Sequence, residues 1–262
     1  MKARAQRPVM PSFVLKIRRG EGRFYGSIKR IASRILYSGF PVPRFLYPVG
    51  RFFFELHHAV EMTFRWLISY FYSEPLFRCR CESVGKRFKL WRMPFIAGHP
   101  KIYVGDDVNF FGRIDVFTGR LFDEPKLVIG NRVDLGHQTT FILNKEIVIE
   151  DDVNVASNVR FMDTDAHPRD TMARIADLPP EPDEVKPIRV CRYAWIGHNA
   201  FILKGVTIGE GAIIGVNSVV VSDIPAYCVA MGNPARVVVK NIDKNVDKAR
   251  AASEVPKQSA NA

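Results

Sequence analysis

The sequence contains few cysteines and, over its first 48 residues, almost no acidic side chains. The four cysteines match no disulfide framework, and Cys79 and Cys81 are separated by one residue rather than by the two of a zinc knuckle. We therefore expect reduced thiols in a cytoplasmic protein. Residues 1–20 also lack a continuous apolar core after their basic start, so the sequence does not predict a signal peptide.

The scarcity of acids concentrates nearly all of the net charge at one end of the chain. Residues 1–48 contain eleven lysines and arginines and one acid, Glu21, whereas the whole chain has a formal net charge of +11. A basic block of this kind indicates an anionic surface, either lipid head groups or nucleic acid. Residues 27–37 have the spacing of a short amphipathic helix, and Pro41, Pro43 and Pro48 should break any helix there.

Residues 51–72 have apolar side chains at helical spacing and polar ones on the opposite side. The apolar set is Phe53, Leu56, Val60, Phe64, Leu67 and Phe71. Glu55, Glu61 and Arg65 would each cost roughly 2.5–3.5 kcal/mol near the centre of a bilayer, so a spanning helix is disfavoured. We favour a helix in the membrane interface beside the basic block; the alternative is a helix that packs on the end of the following domain. An aromatic stripe is not typical of nucleic-acid binding, which uses isolated stacking platforms.

A six-residue period dominates the rest of the chain. Aliphatic residues recur at Val190, Ile196, Ile202, Ile208, Ile214 and Val220. This period fits neither an α-helix nor an alternating strand, but it is typical of a parallel β-helix whose coils have three short sides. The predicted fold is therefore mainly β. We expect a helical, basic segment over residues 1–100, the β-helix over 101–240 and a polar tail over 241–262.

The longest interruption of the repeat, residues 163–187, contains five prolines and is predicted to be a loop extruded from the β-helix. Its first residues place His167 beside Asp163 and Asp165. A neutral imidazole can accept the proton of an attacking hydroxyl, and a carboxylate can hold the ring in the required tautomer. His167 is therefore a candidate general base and either aspartate a candidate orienting group. The alternative is an ordinary surface histidine.

Several motifs of the repeat resemble those of a known family. They are Ala194-Trp195-Ile196-Gly197, Leu203-Lys204-Gly205-Val206-Thr207-Ile208-Gly209, Gly215-Val216-Asn217-Ser218-Val219-Val220 and the ending from Asp223 through Gly232-Asn233-Pro234 to Val238. Residues 104–239 are similar to the hexapeptide-repeat acyltransferases, most of all to the maltose/galactoside O-acetyltransferase-like branch, which includes sugar and exopolysaccharide acetyltransferases. The resemblance implies a left-handed parallel β-helix assembled as a homotrimer, with acetyl-CoA lying along the coils between two subunits.

The resemblance also implies roles for individual residues. His167 in the His167-Pro168 step matches the catalytic base, and Trp195 matches a tryptophan that walls the active-site groove. The residues that match cofactor-binding positions are Gly197, Gly215 and Val216 for the pantetheine arm and Arg236 for the phosphates. Where the family typically has an Asn-x-Asn that meets the acceptor sugar, this chain has His137-Gln138 after Gly136. These two residues are the candidate acceptor-binding residues, and the acceptor is left undetermined.

Together these features predict an acetyl-CoA-dependent O-acetyltransferase that needs no metal. The expected acceptor is a sugar, a lipid-linked glycan or a surface polysaccharide, and the expected place is the inner face of the cytoplasmic membrane. Two other readings stay open: a non-catalytic membrane-associated scaffold, and a γ-class carbonic-anhydrase-like zinc protein. The zinc reading is disfavoured, since His137, His167 and His198 are each about thirty residues apart, whereas that family places two of its histidines close together.

Overall fold

The computed structural model describes residues 13–39 and 42–242, so the first three basic residues and the predicted polar tail beyond 242 lie outside the described residues. Contacts between Cα atoms divide the chain into two compact units, residues 1–61 and 62–262. The boundary predicted near residue 100 lies inside the second unit.

Helices form the first part of the chain. They are α1 (Phe13–Arg19), α2 (Gly22–Tyr37), a short 3-10 turn (Arg44–Leu46), α3 (Tyr47–Ile68), a π-helical turn (Ser69–Ser73) and α4 (Glu74–Arg80). The two predicted amphipathic helices are confirmed within α2 and α3. Pro48, which was expected to break a helix, instead lies in the first turn of α3, where a missing N–H removes no helical hydrogen bond. Among the described helices, none combines the length and apolar character that a membrane crossing requires.

The second unit is built on three parallel sheets that form the faces of a prism. Face A contains β1 (Ser83–Val84), β4 (Lys101–Val104), β7 (Lys126–Ile129), β10 (Glu146–Ile149), β13 (Ile188–Val190) and β16 (Thr207–Ile208). Face B contains β2 (Lys89–Leu90), β5 (Asn109–Phe110), β8 (Asp134–Leu135), β11 (Asn154–Val155), β14 (Trp195–Ile196), β17 (Ile213–Ile214), β19 (Val229–Gly232) and β20 (Ala235–Val239), the last pair antiparallel. Face C contains β3 (Phe95–Ala97), β6 (Asp115–Thr118), β9 (Thr140–Leu143), β12 (Arg160–Met162), β15 (Phe201–Leu203) and β18 (Val219–Val220).

The six-residue period predicts the core of this prism correctly. Val190, Ile196, Ile202 and Ile208 are fully buried, each on a different strand, and Ile149 pairs in register with Val190 on the next coil. Phe141 and Phe161 stack inside with ring centroids 5.2 Å apart. Burial of one such side chain stabilises the fold by about 1.5–3 kcal/mol, so the stacked coils form one continuous core. The predicted left-handed parallel β-helix with a helical N-terminal region is confirmed.

The prism begins earlier than the sequence analysis places it. Its first strand, β1, starts at Ser83 rather than near residue 101, and β1 pairs with β4. The buried or half-buried residues Val84, Leu90 and Ile96 already recur every six positions, so the signal was present. The last strands end at Val239.

Candidate active site

The residues singled out by sequence lie on two different corners of the prism. The corner between faces C and A carries the long loop, which leaves β12 at Met162 and returns at Ile188. It contains the short helix α5 (Thr171–Ile175) and a 3-10 turn (Pro182–Glu184). The corner between faces B and C carries the other set: His137, Gln138, Gly197, Gly215 and Val216. Face C therefore separates the two sets within one chain.

Asp163 closes the base of the long loop. Its side chain is fully buried, and its two oxygens accept hydrogen bonds from the backbone N–H groups of Asn144 at 2.7 Å, Lys145 at 2.6 Å and Glu146 at 3.0 Å. Its carbonyl oxygen accepts the N–H of Lys186 at 2.9 Å, which ties the two ends of the loop together. Asp163 thus fastens the loop to the coil beneath it.

Burial also changes the acidity of this carboxyl. Desolvation raises the pKa of Asp163 to about 6, and the three N–H donors, which favour the charged form, limit the rise. Asp163 therefore loses its proton at a pH well above the usual range for a carboxyl. Its charge state affects the hydrogen bonds that hold the base of the loop.

His167 lies at the exposed tip of the segment that Asp163 anchors. Asp165, two residues before it, contacts the ammonium of Lys204 with an Oδ2–Nζ distance of 2.6 Å. The Lys204 side chain is only 12% exposed, so this ion pair is shielded from water on one side. Arg169 lies 3.6 Å from the same Asp165 oxygen and 3.5 Å from Glu184. These ion pairs hold the chain on both sides of His167.

The predicted orienting role of the aspartates is not seen in a single chain. No hydrogen bond joins His167 to Asp163 or to Asp165 within the described residues, because one carboxylate binds backbone N–H groups and the other binds Lys204. Sequence reasoning missed Lys204, although it lies inside the Leu203-Lys204-Gly205 motif. Its partner is 39 residues away in sequence, so spacing alone gives no signal of the pair.

The second corner stacks equivalent residues of successive coils. One position of the corner is occupied in turn by His137, Ser157, His198 and Val216. The next is occupied by Gln138, Asn158, Asn199 and Asn217, all four in the left-handed backbone region. Asn199 donates from its side-chain amide to Asn217 at 2.8 Å and accepts from Asn158 at 2.6 Å. His137 and Gln138 therefore lie along the same edge of the prism as Gly197, Gly215 and Val216, a few coils apart.

The two glycines of this edge are needed for packing whether or not a cofactor binds. A Cβ at Gly197 would lie 2.6 Å from the carbonyl oxygen of Ile214, and one at Gly215 would lie 2.7 Å from the Cβ of Met231. Trp195 and Val216 project outward and are 52% and 63% exposed. An apolar surface of this kind on a rigid edge is suited to contact with a ligand or with another chain.

Arg236 adds a positive charge near the end of the prism. It lies on β20, is exposed, and donates from Nη1 to the carbonyl oxygen of Ala235 at 2.9 Å. In the described part of the chain no carboxylate pairs with it. A guanidinium with free donors can bind phosphate oxygens in bidentate geometry.

Other chemistries find little support in the side chains. Among the described residues, no three or more histidine, cysteine, aspartate or glutamate side chains converge as a possible metal site. All four cysteines are free thiols. Burial raises the pKa of Cys81 to about 12 and also raises that of Cys191, which disfavours a thiolate nucleophile at either position.

Comparisons with known proteins agree with this architecture. No family model matches the chain. The chain is 34% identical over 119 residues to a protein of Saccharomyces cerevisiae that bears a provisional acetyltransferase name, and 35% identical over 111 residues to one of Schizosaccharomyces pombe with a similar name. The matches cover 45% and 42% of this chain and 58% and 51% of those proteins. The chain thus spans little more than half the length of these relatives.

A solved structure shows the same fold. The chain superposes on a mutant of AntD, an N-acyltransferase from Bacillus cereus in complex with dTDP and coenzyme A, with a TM-score of 0.52 at 17% identity. The superposition covers 70% of this chain and 96% of AntD. At this identity the likeness concerns the fold.

Proposed function

In fold and in repeat sequence this chain resembles the hexapeptide-repeat acyltransferases, and we propose that it is an acetyl-CoA-dependent O-acetyltransferase. The observation that carries the proposal is the placement of His167: an exposed imidazole on the one long loop, whose base is fastened by Asp163 and whose flanks are held by Asp165. A base must be presented to substrate and still be held in place, and this loop meets both needs.

The proposed reaction is direct transfer to a hydroxyl. The neutral imidazole of His167 takes the proton of an acceptor hydroxyl as its oxygen attacks the thioester carbonyl carbon. A C–O bond forms, the C–S bond breaks, and the sulfur of coenzyme A leaves with the electron pair and is then protonated. Asp165 acts as a positioning residue through Lys204. No step uses a metal ion or an acyl-enzyme.

We propose that the complete site forms between copies of the chain in a homotrimer. Trp195, Gly197, Gly215 and Val216 lie on one side of face C and His167 lies on the other. A threefold assembly would bring the loop of one copy against the B–C corner of the next. Pantetheine would run along that corner, the phosphates would meet Arg236, and the acceptor would meet His137 and Gln138.

The acceptor class we propose is a sugar hydroxyl, free or on a lipid-linked glycan or surface polysaccharide. AntD was solved with dTDP and coenzyme A, which are a nucleotide and a thiol cofactor bound by one protein of this fold. The polar corner residues His137 and Gln138 offer donors and acceptors to hydroxyl groups.

A test of coenzyme A binding distinguishes the proposed enzyme from a non-catalytic scaffold. We expect coenzyme A at a hundredfold excess over its Kd to stabilise the protein by about 2.7 kcal/mol, which raises the unfolding midpoint by roughly 5 °C or more in a thermal-shift assay. Arg236→Ser should lose part of this shift. Arg92→Ser, which removes an exposed arginine on the first coil, should keep it. A protein that does not respond to coenzyme A at any concentration would be the scaffold of the alternative reading.

We further propose that the N-terminal unit contacts an anionic membrane at the cytoplasmic face. α2 and α3 contain no buried residue. Ile31, Ile35 and Leu36 on α2 are 59–78% exposed beside the cations Lys29, Arg30 and Arg34. Apolar side chains beside lysine and arginine suit an interfacial helix on acidic lipid.

Charge reversal on α2 tests this membrane contact in the full chain. Replacing Lys29, Arg30 and Arg34 together by glutamate should reduce binding to phosphatidylserine vesicles more than tenfold, since each basic residue contributes about 1 kcal/mol near such a surface. Co-sedimentation with vesicles measures the effect. Phosphatidylcholine vesicles serve as the uncharged control, and equal binding of the triple variant and the wild type to phosphatidylserine would contradict the proposal.

A further inference from the structure

A cavity at the start of the prism is not used by the proposed reaction. It lies within the second unit, between the C-terminal end of α3 with the turn that follows it and the first strand of face B, and has a volume of about 410 Å³. Cavities that bind small molecules usually measure about 300–1,000 Å³ and are walled by aromatic and aliphatic side chains. The cavity is therefore large enough for a ligand.

Four of the ten residues that line the cavity are aromatic. Trp66 and Tyr70 stack with centroids 5.4 Å apart and an interplanar angle of 21°. Trp91 also lines the cavity, and the buried side chains of Phe88 and Leu90 complete the wall. Ser69 donates a hydrogen bond to the carbonyl oxygen of Leu90, which fixes the helical turn against the strand. The walls are thus held in place before any ligand enters.

The apolar wall continues beyond the cavity. The ring of Phe71 contacts that of Tyr70 edge to face at 5.0 Å, and Phe71 is 70% exposed. A flexible hydrocarbon chain can follow such a surface out of a cavity, whereas a compact planar ring cannot use it. The shape of the wall therefore favours a chain over a nucleobase.

The charged groups at the cavity are mostly occupied, with one exception. Arg78 binds Glu74 at 2.9 Å and the carbonyl oxygens of Val84 and Gly85 at 2.9 and 3.0 Å. Arg87 forms two hydrogen bonds to Asp107. Lys89 is exposed, and over residues 13–39 and 42–242 no carboxylate pairs with its ammonium. Since Arg78 neutralises Glu74, the net charge at the cavity is positive and Lys89 can bind an anion.

We propose that this cavity binds the apolar chain of a phosphate-bearing lipid, with the chain among Trp66, Tyr70 and Trp91 and the phosphate on Lys89. A free phosphate ion would leave the aromatic walls in water, and a neutral hydrocarbon would leave Lys89 without a partner. A phosphate on an apolar chain satisfies both sets of groups. This site is separate from His167, so it does not depend on the proposed transfer reaction.

Tryptophan fluorescence tests the site in the full chain. Trp66 and Trp91 are two of the three tryptophans, and in a Trp195→Phe protein they are the only ones. The probe is a lysophosphatidic acid with a brominated acyl chain, used below its critical micelle concentration so that no membrane is present. We expect saturable quenching of the fluorescence, because bromine quenches a tryptophan only on contact.

A charge-matched pair of variants tests the phosphate. Lys89→Glu, made in the Trp195→Phe protein, should weaken the apparent affinity about tenfold, in line with the loss of one charge-assisted hydrogen bond. Lys126→Glu, which makes the same change at an exposed lysine of face A, should leave it unchanged. The brominated monoacylglycerol with the same chain and no phosphate should bind about tenfold more weakly than the acid.

Three outcomes would overturn the inference. The first is the absence of saturable quenching in a protein whose thermal unfolding is normal. The second is equal affinity for the lysophosphatidic acid and the monoacylglycerol. The third is complete displacement of the brominated lipid by an equal concentration of ATP, which would assign the cavity to a nucleotide. None of these results bears on coenzyme A binding or on vesicle binding by α2, so the proposals fail separately.

Discussion

Replacing His167 by alanine is expected to lower kcat for acetyl transfer by roughly 10²–10⁴-fold, the usual contribution of a general base. The KM for acetyl-CoA should change little, because the residues proposed to bind it lie on another corner of the prism. Because His167 is exposed, the variant should fold normally, and an unchanged thermal midpoint checks this. The measurement is release of free coenzyme A in the presence of an accepted sugar.

The chain supplies its own matched control. His99 is a second exposed histidine that precedes a buried proline, Pro100, and it lies on the same C–A corner of the prism. His99 therefore matches His167 in its exposure, its following proline and its corner of the prism, but it lies outside the long loop. His99→Ala should retain wild-type kcat. Equal turnover in the His167 and His99 variants would remove His167 as the base.

Replacing Asp163 by alanine is expected to produce the largest loss of stability, about 2–4 kcal/mol in the free energy of unfolding. The substitution leaves the N–H groups of Asn144, Lys145 and Glu146 without their acceptor, and each unpaired buried donor costs about 1–3 kcal/mol. Two of these groups are part-buried and regain some water, which keeps the loss below the sum. Urea unfolding measures it. Asp183→Ala, in the same loop but exposed, should cost less than about 0.5 kcal/mol.

The same carboxyl predicts a pH dependence with a definite sign. Burial raises the pKa of Asp163 in the folded protein to about 6, so the folded state binds this proton more tightly than the unfolded state does. The stability gained from this tighter proton binding is fully present below the ordinary carboxyl pKa of about 4 and is lost as the pH rises to 6. The free energy of unfolding falls by up to about 3 kcal/mol over this interval.

The difference in unfolding free energy between wild type and Asp163→Asn isolates this contribution. It should fall between pH 4 and pH 6 and stay constant above pH 7, since the asparagine does not titrate. A difference that rises over the same interval would mean that the three N–H donors outweigh burial.

The architecture of the prism could be predicted because one physical rule repeats along it. Every sixth residue points inward, so Ile196 and Ile208 identify the core without knowledge of the rest. The first coil is harder to recognise although Val84 and Leu90 follow the rule and Gly85 follows Val84, since the segment begins directly after a helix. The prediction that Pro48 breaks a helix was wrong for a local reason, since proline breaks a helix only beyond its first turn.

The contacts of the loop could not be predicted in the same way. Proximity in sequence pairs Asp163 with His167, but the partners of Asp163 lie 17 to 19 residues earlier on the coil below. Asp165 finds Lys204 on the coil above. In a solenoid, stacking brings together residues about one coil apart. A loop of irregular length changes the number of residues in a coil, so the spacing of stacked residues cannot be read from the sequence. The role of His167 as a base and the roles of Trp195, Gly197, Gly215, Val216 and Arg236 in cofactor binding stay predictions.

The central claim is that this prism transfers an acetyl group from coenzyme A to a sugar hydroxyl. Mass spectrometry of the full-length protein incubated with isotopically labelled acetyl-CoA and a panel of sugars and lipid-linked glycans tests it directly. The claim predicts the labelled acetyl group on at least one acceptor as an ester, formed with wild type and His99→Ala and reduced at least a hundredfold with His167→Ala. A protein that binds coenzyme A yet labels no acceptor, or that labels acceptors equally well without His167, would contradict it.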